Sequence, residues 1–412
     1  AHGTWVGGVC RCDADYIGPS CAFHLLSGTA FLPPSDPASA PNRCADARRW
    51  EAAASSVRER LHFLQHPQGR VAPGGQSDGQ SDGQIGGQSA GEQCGNASRV
   101  WVVRLRNTNG HAGFASFLEQ VSGALSAAYG NGTMLFLRDY CDYLFHRGCP
   151  RRDARYEDLS CYFQPLFSGC GVEDVSAAPE AQTEVLEHYN SWRPPPEVAA
   201  QGLGVFWWNA LLLHHISAPN RLLDALVRRA KSEMGYRHPI VGVHVRRGDS
   251  CKLKASPGYG MPLAACKRFG DFMPHIREMR RLYGVTNVFV TSDSTSVYEE
   301  IAEFKSEGFN FVHSREDRGF LDHDWLLEMR LRMALVDRQQ VADATLVDTL
   351  LLADADFLVL GLQSGYGRLA LALSAAARGF VPPFVSMDYP WMPRFGMTGP
   401  RPPWIEWWRE ES

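Results

Sequence analysis

The chain has 412 residues, and its 41 Lys and Arg against 45 Asp and Glu leave a net charge of −4. That balance gives no overall electrostatic reason to expect a nucleic acid or an anionic membrane surface as partner. The length exceeds one typical core and predicts two domains with some decoration, and no apolar run of about 18 residues is present to span a bilayer.

The start at Ala1, without a methionine or an apolar leader, predicts a processed or truncated ectodomain whose membrane anchor lies outside this chain. The first stretch, GGVCRCDADYIGPSCAF, spaces Cys10, Cys12 and Cys21 like the second half of an EGF-like module; a local disulfide loop over 1–25 is the alternative. Residues 26–98 read as a linker. It is rich in Pro, Ser and Ala at first, carries a helical pattern over 48–63, and then runs into GGQSDGQSDGQIGGQSAGEQ at 74–93. Such a composition cannot bury enough apolar area to order itself and predicts a mobile insertion. Asn96-Ala97-Ser98 and Asn131-Gly132-Thr133 are glycosylation sequons; with eleven cysteines they favour an oxidising, secretory compartment.

Regular structure is expected from residue 100. RVWVVRLRN gives a strand over 100–105, followed by a turn with Gly110 and Gly113. Phe114, Phe117, Leu118, Val121, Leu125 and Ala128 then recur at helical spacing, and 134–137 is the next strand. A glycine loop at a strand–helix junction lets backbone N–H groups approach an anion at the positive end of the helix; a tight turn also needs glycine. Two helices, broken near Pro219, follow in VFWWNALLLHHISAPNRLLDALVRRAKSEM, with His214 and His215 expected on a helix surface. Strands over 240–245, 288–291, 311–313, 357–360 and 384–387 alternate with helices over 272–282, 297–304, 346–353 and 366–377. This alternation predicts an α/β fold with a doubly wound parallel sheet. The proposed division is 99–235, 236–390 and a tail, 391–412.

The chemistry gathers at IVGVHVRRGDSC, 240–251. Strands of open α/β sheets present ligands at their carboxyl ends, so Arg246 and Arg247 arrive where a substrate sits. Guanidinium groups offer bidentate donors and keep their charge, which suits a pyrophosphate. If the pyrophosphate is a leaving group, the same pair stabilises charge that grows in the transition state. Asp249 is placed to hold an arginine or the substrate; an Arg–Asp ion pair at an interface is the plainer alternative. Asp322-His323-Asp324 and Asp354-Ala355-Asp356 have a metal-nucleotide look, yet the second precedes an apolar strand and belongs at the amino-terminal edge of the sheet. Cys251 and Cys266 read as a disulfide rather than zinc ligands. Walker and H-E-x-x-H patterns do not occur, and G-x-S-x-G occurs only inside the low-complexity run at 74–93, where it makes no nucleophile elbow.

The segment YRHPIVGVHVRRGD resembles the hallmark of GT-B fold fucosyltransferases, nearest to the α1,6-fucosyltransferase family. GHAGFASFLEQVSGALSAAYG, NVFVTSDSTSVYEE and LVDTLLLADADFLVLGLQSGYGRLALAL extend the likeness, in order, over residues 100 to about 390. The resemblance implies two Rossmann-like domains facing a cleft, with a small cysteine-rich segment in front. It implies that Arg246 and Arg247 grip the pyrophosphate of GDP-fucose beside His244, that Asp348 holds the guanosine, and that Ser364, next to Gln363, binds phosphate at a helix start. Gly110, His111 and Gly113 match the loop that closes over the donor, and Asp293 matches the first aspartate of an acidic turn.

The departures are as specific. The family's proton-accepting glutamate falls on Lys254, and CKLKASPGYGM holds no carboxylate. The base is left unassigned: Asp293 is a candidate for it, Asp249 is favoured as an orienter of an arginine instead, and a group near the 139–143 stretch or the acceptor itself is the alternative. The serine turn LQSGYG lacks the family's flanking cysteines, and neither the SH3-like domain nor the coiled-coil stem is found in the chain. The expected activity is therefore inverting, metal-independent transfer of fucose to a glycan or glycoprotein acceptor in the Golgi lumen or endoplasmic reticulum. The rivals are the same fold with another donor or a protein hydroxyl as acceptor, and a catalytically weak glycan-binding protein.

Overall fold

The computed structural model describes residues 3–6, 9–12, 16–17, 23–24, 44–65, 100–105, 113–137, 144–149, 159–164, 166, 181–186, 194–200, 204–248, 251, 266–314, 318–321 and 325–388. Cys21, the low-complexity run at 74–93, Asn96, Gly110, His111, the 139–143 stretch, Asp249, Lys254, Asp322, Asp324 and the tail from 389 lie outside them.

At the amino end, β1 (Gly3–Val6) pairs antiparallel with β2 (Val9–Cys12), and β3 (Tyr16–Ile17) with β4 (Phe23–His24). The helical pattern after them becomes α1 (Cys44–Gln65), which buries Ala54, Val57 and Leu61 along one face. A three-stranded parallel sheet follows, of β5 (Val100–Leu105), β6 (Met134–Leu137) and β7 (Ala181–Leu186), in the order β6-β5-β7. Between β5 and β6 runs α2 (Phe114–Asn131), with Phe114, Phe117, Leu118, Val121, Leu125 and Ala128 all buried as their spacing predicts. It ends at Gly132, whose φ of 64° is the left-handed conformation that lets a helix C-terminus close on its own carbonyls.

After the single turn α3 (Pro196–Ala199), α4 (Val205–Ile216) is buried on nearly every side, and α5 (Arg221–Met234) exposes a polar face. The break between them falls at Ser217, and Asn220 restarts the chain by accepting the N–H groups of Leu222 and Leu223.

The second sheet contains β8 (Ile240–Val245), β9 (Asn287–Ser292), β10 (Asn310–Val312), β11 (Phe357–Leu360) and β12 (Phe384–Ser386). Every pairing is parallel and the order is β10-β9-β8-β11-β12. Its helices are α6 (Met273–Tyr283), α7 (Ser296–Glu300), α8 (Leu327–Arg332), α9 (Arg338–Asp354) and α10 (Gly365–Arg378). The central strand β8 is buried along its whole length, as an apolar run covered on both faces must be. From β8 the chain builds outward through β9 and β10, then returns to lay β11 and β12 on the other side. The carboxyl ends of β8 and β11 thus diverge into the crevice where doubly wound sheets take ligands.

Several elements differ from expectation. The helix expected over 297–304 is α7 followed by a 3₁₀ turn, Ile301–Glu307. α9 begins eight residues before 346, capped by the Asp337 carboxylate on the N–H groups of Gln339 and Gln340. β7 and α8 went unread. Asp354 and Asp356 do sit at the amino-terminal edge: Asp356 accepts the Ile240 N–H at 2.9 Å, and both carboxylates contact the His238 ring. The Cys251–Cys266 disulfide is formed, and a second joins Cys149 to Cys161.

The two halves do not have separate interiors. Leu61, Leu125, Trp207, Trp208, Leu346 and Leu369 belong to one apolar cluster that reaches from α1 to α10, while Val243, Ile276, Val288 and Phe357 form another on the opposite face of the second sheet. The Trp208 indole is anchored within the first by donating to Ser126 Oγ at 2.8 Å.

Candidate functional site

β8 delivers its side chains to the crevice in order. His244, the last but one, is only 5% exposed, and the Tyr366 ring covers it with centroids 4.8 Å apart. Burial, and then the charge of Arg246, push its pKa down to about 3. Immediately beyond the strand, Arg246 pairs with Asp293, and the Arg247 N–H donates to the same carboxylate at 2.7 Å. The Arg247 guanidinium reaches Glu300 at 2.5 Å, and Glu300 also accepts the Phe269 N–H at 2.7 Å. Burial alone would raise the Glu300 pKa, but the hydrogen bonds from Arg247 and Phe269 prevail and lower it. Gly248 completes the turn because a Cβ there would stand 2.6 Å from an Asp293 oxygen. The arginines are therefore held from β9 and α7 before any substrate arrives.

Opposite them, β11 runs into Gly361, Leu362, Gln363 and Ser364, the last being the N-cap of α10 without a side-chain cap bond. Asp388, just past β12, accepts the N–H groups of Leu362 at 2.7 Å and Gln363 at 3.1 Å. Gly113 starts α2, likewise without a side-chain cap. The two helix starts approach closely: a Cβ on Gly365 would lie 3.3 Å from that of Ala115. Arg246, Lys267, Gln363, Ser364 and Asp388 line a small open cleft between the strand ends. Cationic side chains and the positive end of a helix on one small cleft favour an anion there.

The sequence reading is met unevenly. Arg246, Gln363 and Ser364 converge on the cleft, with His244 in the strand beneath and Gly113 on the adjoining helix. Asp293 makes the arginine-holding contacts that the sequence reading gave to Asp249. Asp348 faces inward. It is 2% exposed and accepts Arg318 Nη1 at 2.7 Å, Arg318 Nη2 at 2.9 Å and Thr291 Oγ1 at 2.5 Å. Burial opposes the charge of Arg318, but Asp348 more than offsets it and raises the pKa. Sequence reasoning missed Arg318, Glu300 and Asp388, since each meets its partner only through the fold. Asn131 is exposed at the end of α2, whereas the Thr133 hydroxyl is turned onto the Ala128 carbonyl at 3.2 Å. Among the described residues, no three His, Cys, Asp or Glu side chains gather as a metal site.

His244 makes stability depend on pH in a set direction. Its folded pKa lies below the unfolded value of about 6.5, so stability is complete above that value and is lost as pH falls toward 3. At pH 5 the loss from this group is about 2 kcal/mol. Urea titrations at pH 7 and pH 5 are expected to show it in wild type, and His244→Gln to narrow the difference by about that amount.

Comparison with known proteins places this geometry in context. Residues 199–379 match the family described as alpha-(1,6)-fucosyltransferase N- and catalytic domains, as the motifs suggest. An alpha-(1,6)-fucosyltransferase of Drosophila melanogaster is 26% identical, over 59% of this chain and 36% of that protein. The chain thus spans about a third of the length of this curated relative. Among solved structures, POFUT1 in complex with GDP aligns over 71% of this chain and 99% of its own, at 12% identity and a TM-score of 0.41. NodZ alpha-1,6-fucosyltransferase soaked with GDP-fucose aligns over 67% and 92%, at 16% identity and a TM-score of 0.40.

Proposed function

We propose that the chain is an inverting, metal-independent glycosyltransferase that transfers fucose from GDP-fucose to a glycan or glycoprotein acceptor in the lumen of the secretory pathway, the Golgi foremost. The observation that carries this reading is the arginine pair that ends β8: Arg246 lines one cleft with Gln363 and Ser364 at the start of α10, and Arg247 is held next to it by Glu300. Arg246 and Arg247 take the diphosphate together with Ser364, Gln363 and the first N–H groups of α10. By the resemblance, Gly110, His111 and Gly113 also contact the donor. His244 packs as a neutral ring beside the nucleoside, and Asp348, by the resemblance, holds the guanosine.

Inversion follows from direct displacement, in which the acceptor hydroxyl attacks the anomeric carbon on the face opposite the departing GDP. As that bond breaks, negative charge grows on the β-phosphate, where the prepositioned guanidinium groups supply the charge a cation would otherwise bring. The resemblance to guanosine sites around Asp348 and Ser364 sets the test. Calorimetry is expected to show GDP binding without UDP binding; equal or tighter binding of UDP overturns the donor assignment.

A second reading, a glycan-binding protein with little catalytic power, is favoured by the carboxylates themselves. Asp293 is engaged by Arg246 and Asp388 by two backbone N–H groups, and Lys254 stands where the family places its base. A base must lie within about 3.2 Å of the acceptor hydroxyl or one water away. Product formation separates the readings: binding of GDP and glycan with no fucosylated product supports the second.

A further inference from the structure

Arg368, in the first turn of α10, uses its whole guanidinium. Nε and Nη2 donate to the two carboxylate oxygens of Glu119 at 2.9 and 3.1 Å, and Nη1 donates to the carbonyls of Leu362 and Gln363, both at 3.1 Å. Glu119 lies in α2, 249 residues away in sequence, and both residues are only 5% exposed. Two buried charges are a poor source of stability, because desolvation takes back much of their attraction. A bidentate guanidinium–carboxylate pair does, however, fix geometry.

Here the geometry belongs to the crevice. The turn at 362–363 has its N–H groups tied to Asp388 and its carbonyls tied to Arg368. The peptide between Leu362 and Gln363 is held at both its C=O and its N–H, and the peptides on either side are each held at one group, which restrains the turn and the orientation in which Ser364 is presented. Glu119 stands six residues into α2, so the same pair anchors the helix that starts at Gly113.

We propose that Glu119 and Arg368 are positioning residues: a latch that sets the spacing of the two helix starts and holds the 362–364 turn in register with Arg246. Its effect on donor binding rests on the reading that this cleft takes the diphosphate of GDP. Without the latch the turn and the start of α2 move independently, and the cleft no longer matches the diphosphate before binding.

Glu119→Gln tests this with little change of shape. The expected result is a GDP Kd raised at least tenfold, with amide exchange at least tenfold faster across 361–367 and 113–119 and unchanged in β8 and β9. Arg368→Lys, which loses the carbonyl bonds as well, is expected to do the same or more. Folded variants that bind GDP within twofold of wild type and exchange like it overturn the latch. Faster exchange throughout, β8 included, also overturns it, since that is a general loss of stability. If wild type binds no GDP, the diphosphate reading fails, and the exchange pattern alone decides the latch. Should neither variant fold, wild type still decides: the latch requires the Leu362 and Gln363 amides to exchange only with global unfolding, and exchange at exposed-loop rates overturns it.

Discussion

Arg246→Ala is expected to lower turnover by a factor of about 10² or more, the scale for losing one preorganised partner of transition-state charge. Two consequences of the deletion act together. The charge that meets the departing diphosphate is gone, and Asp293, whose side chain is only 15% exposed, is left without its cation beside the arriving anion. Repulsion from that carboxylate weakens GDP binding too, so both the kcat and the donor KM should worsen. Asp293→Asn is the informative companion. As the holder of Arg246 it should weaken GDP binding along with the rate, whereas a proton acceptor would lose rate with GDP affinity intact. An Arg246→Ala enzyme within threefold of wild type would assign the arginine to structure alone.

Gly367→Ala is expected to cost at least about 3 kcal/mol of folding stability, the upper end of what overpacking usually does. A Cβ at this position would stand 2.2 Å from the Gly361 carbonyl oxygen, a backbone atom with no rotamer to yield. Relief requires the exit of β11 to lift off the first turn of α10, which carries the 362–364 turn with it. Donor binding should therefore disappear even in protein that remains folded. Gly130→Ala is the control. Nothing lies within 4 Å of its added Cβ in the exposed last turn of α2, and a few tenths to about 1 kcal/mol of stabilisation is expected from the helix preference of alanine. Chemical denaturation of the two variants checks both signs.

The legible parts of this fold are those whose signal is local. The run at β8 announces a strand buried on both faces, and the stripe of α2 announces its inward side. β7 was not legible, because Ala181–Leu186 interrupts its apolar residues with Gln182, Thr183 and Glu184. The early start of α9 was hidden for the opposite reason. Val341, Ala342, Ala344, Leu346, Val347, Asp348, Thr349, Leu351 and Leu352 are buried around most of its circumference, leaving no stripe to count. The arginines of the site could be read from their place at a strand end. Their holders could not: Glu300 meets Arg247 across 53 residues and Arg368 meets Glu119 across 249, separations that no motif spacing encodes. The same limit explains Asp348, whose position in the chain is plain while its partner, Arg318, is set only by packing.

The core that runs unbroken from α1 to α10 bears on how this chain can be recombined with its relatives. A chimera cut near residue 236, where sequence alone divides the molecule, would transplant Leu346 and Leu369 without the Trp207, Trp208 and Leu125 that they share a core with. The grafted half would carry an unmatched apolar face and one partner of a buried ion pair. A breakpoint that respects the packing keeps α1, α2 and α4 with the second sheet, so that the crevice passes between relatives only together with those helices.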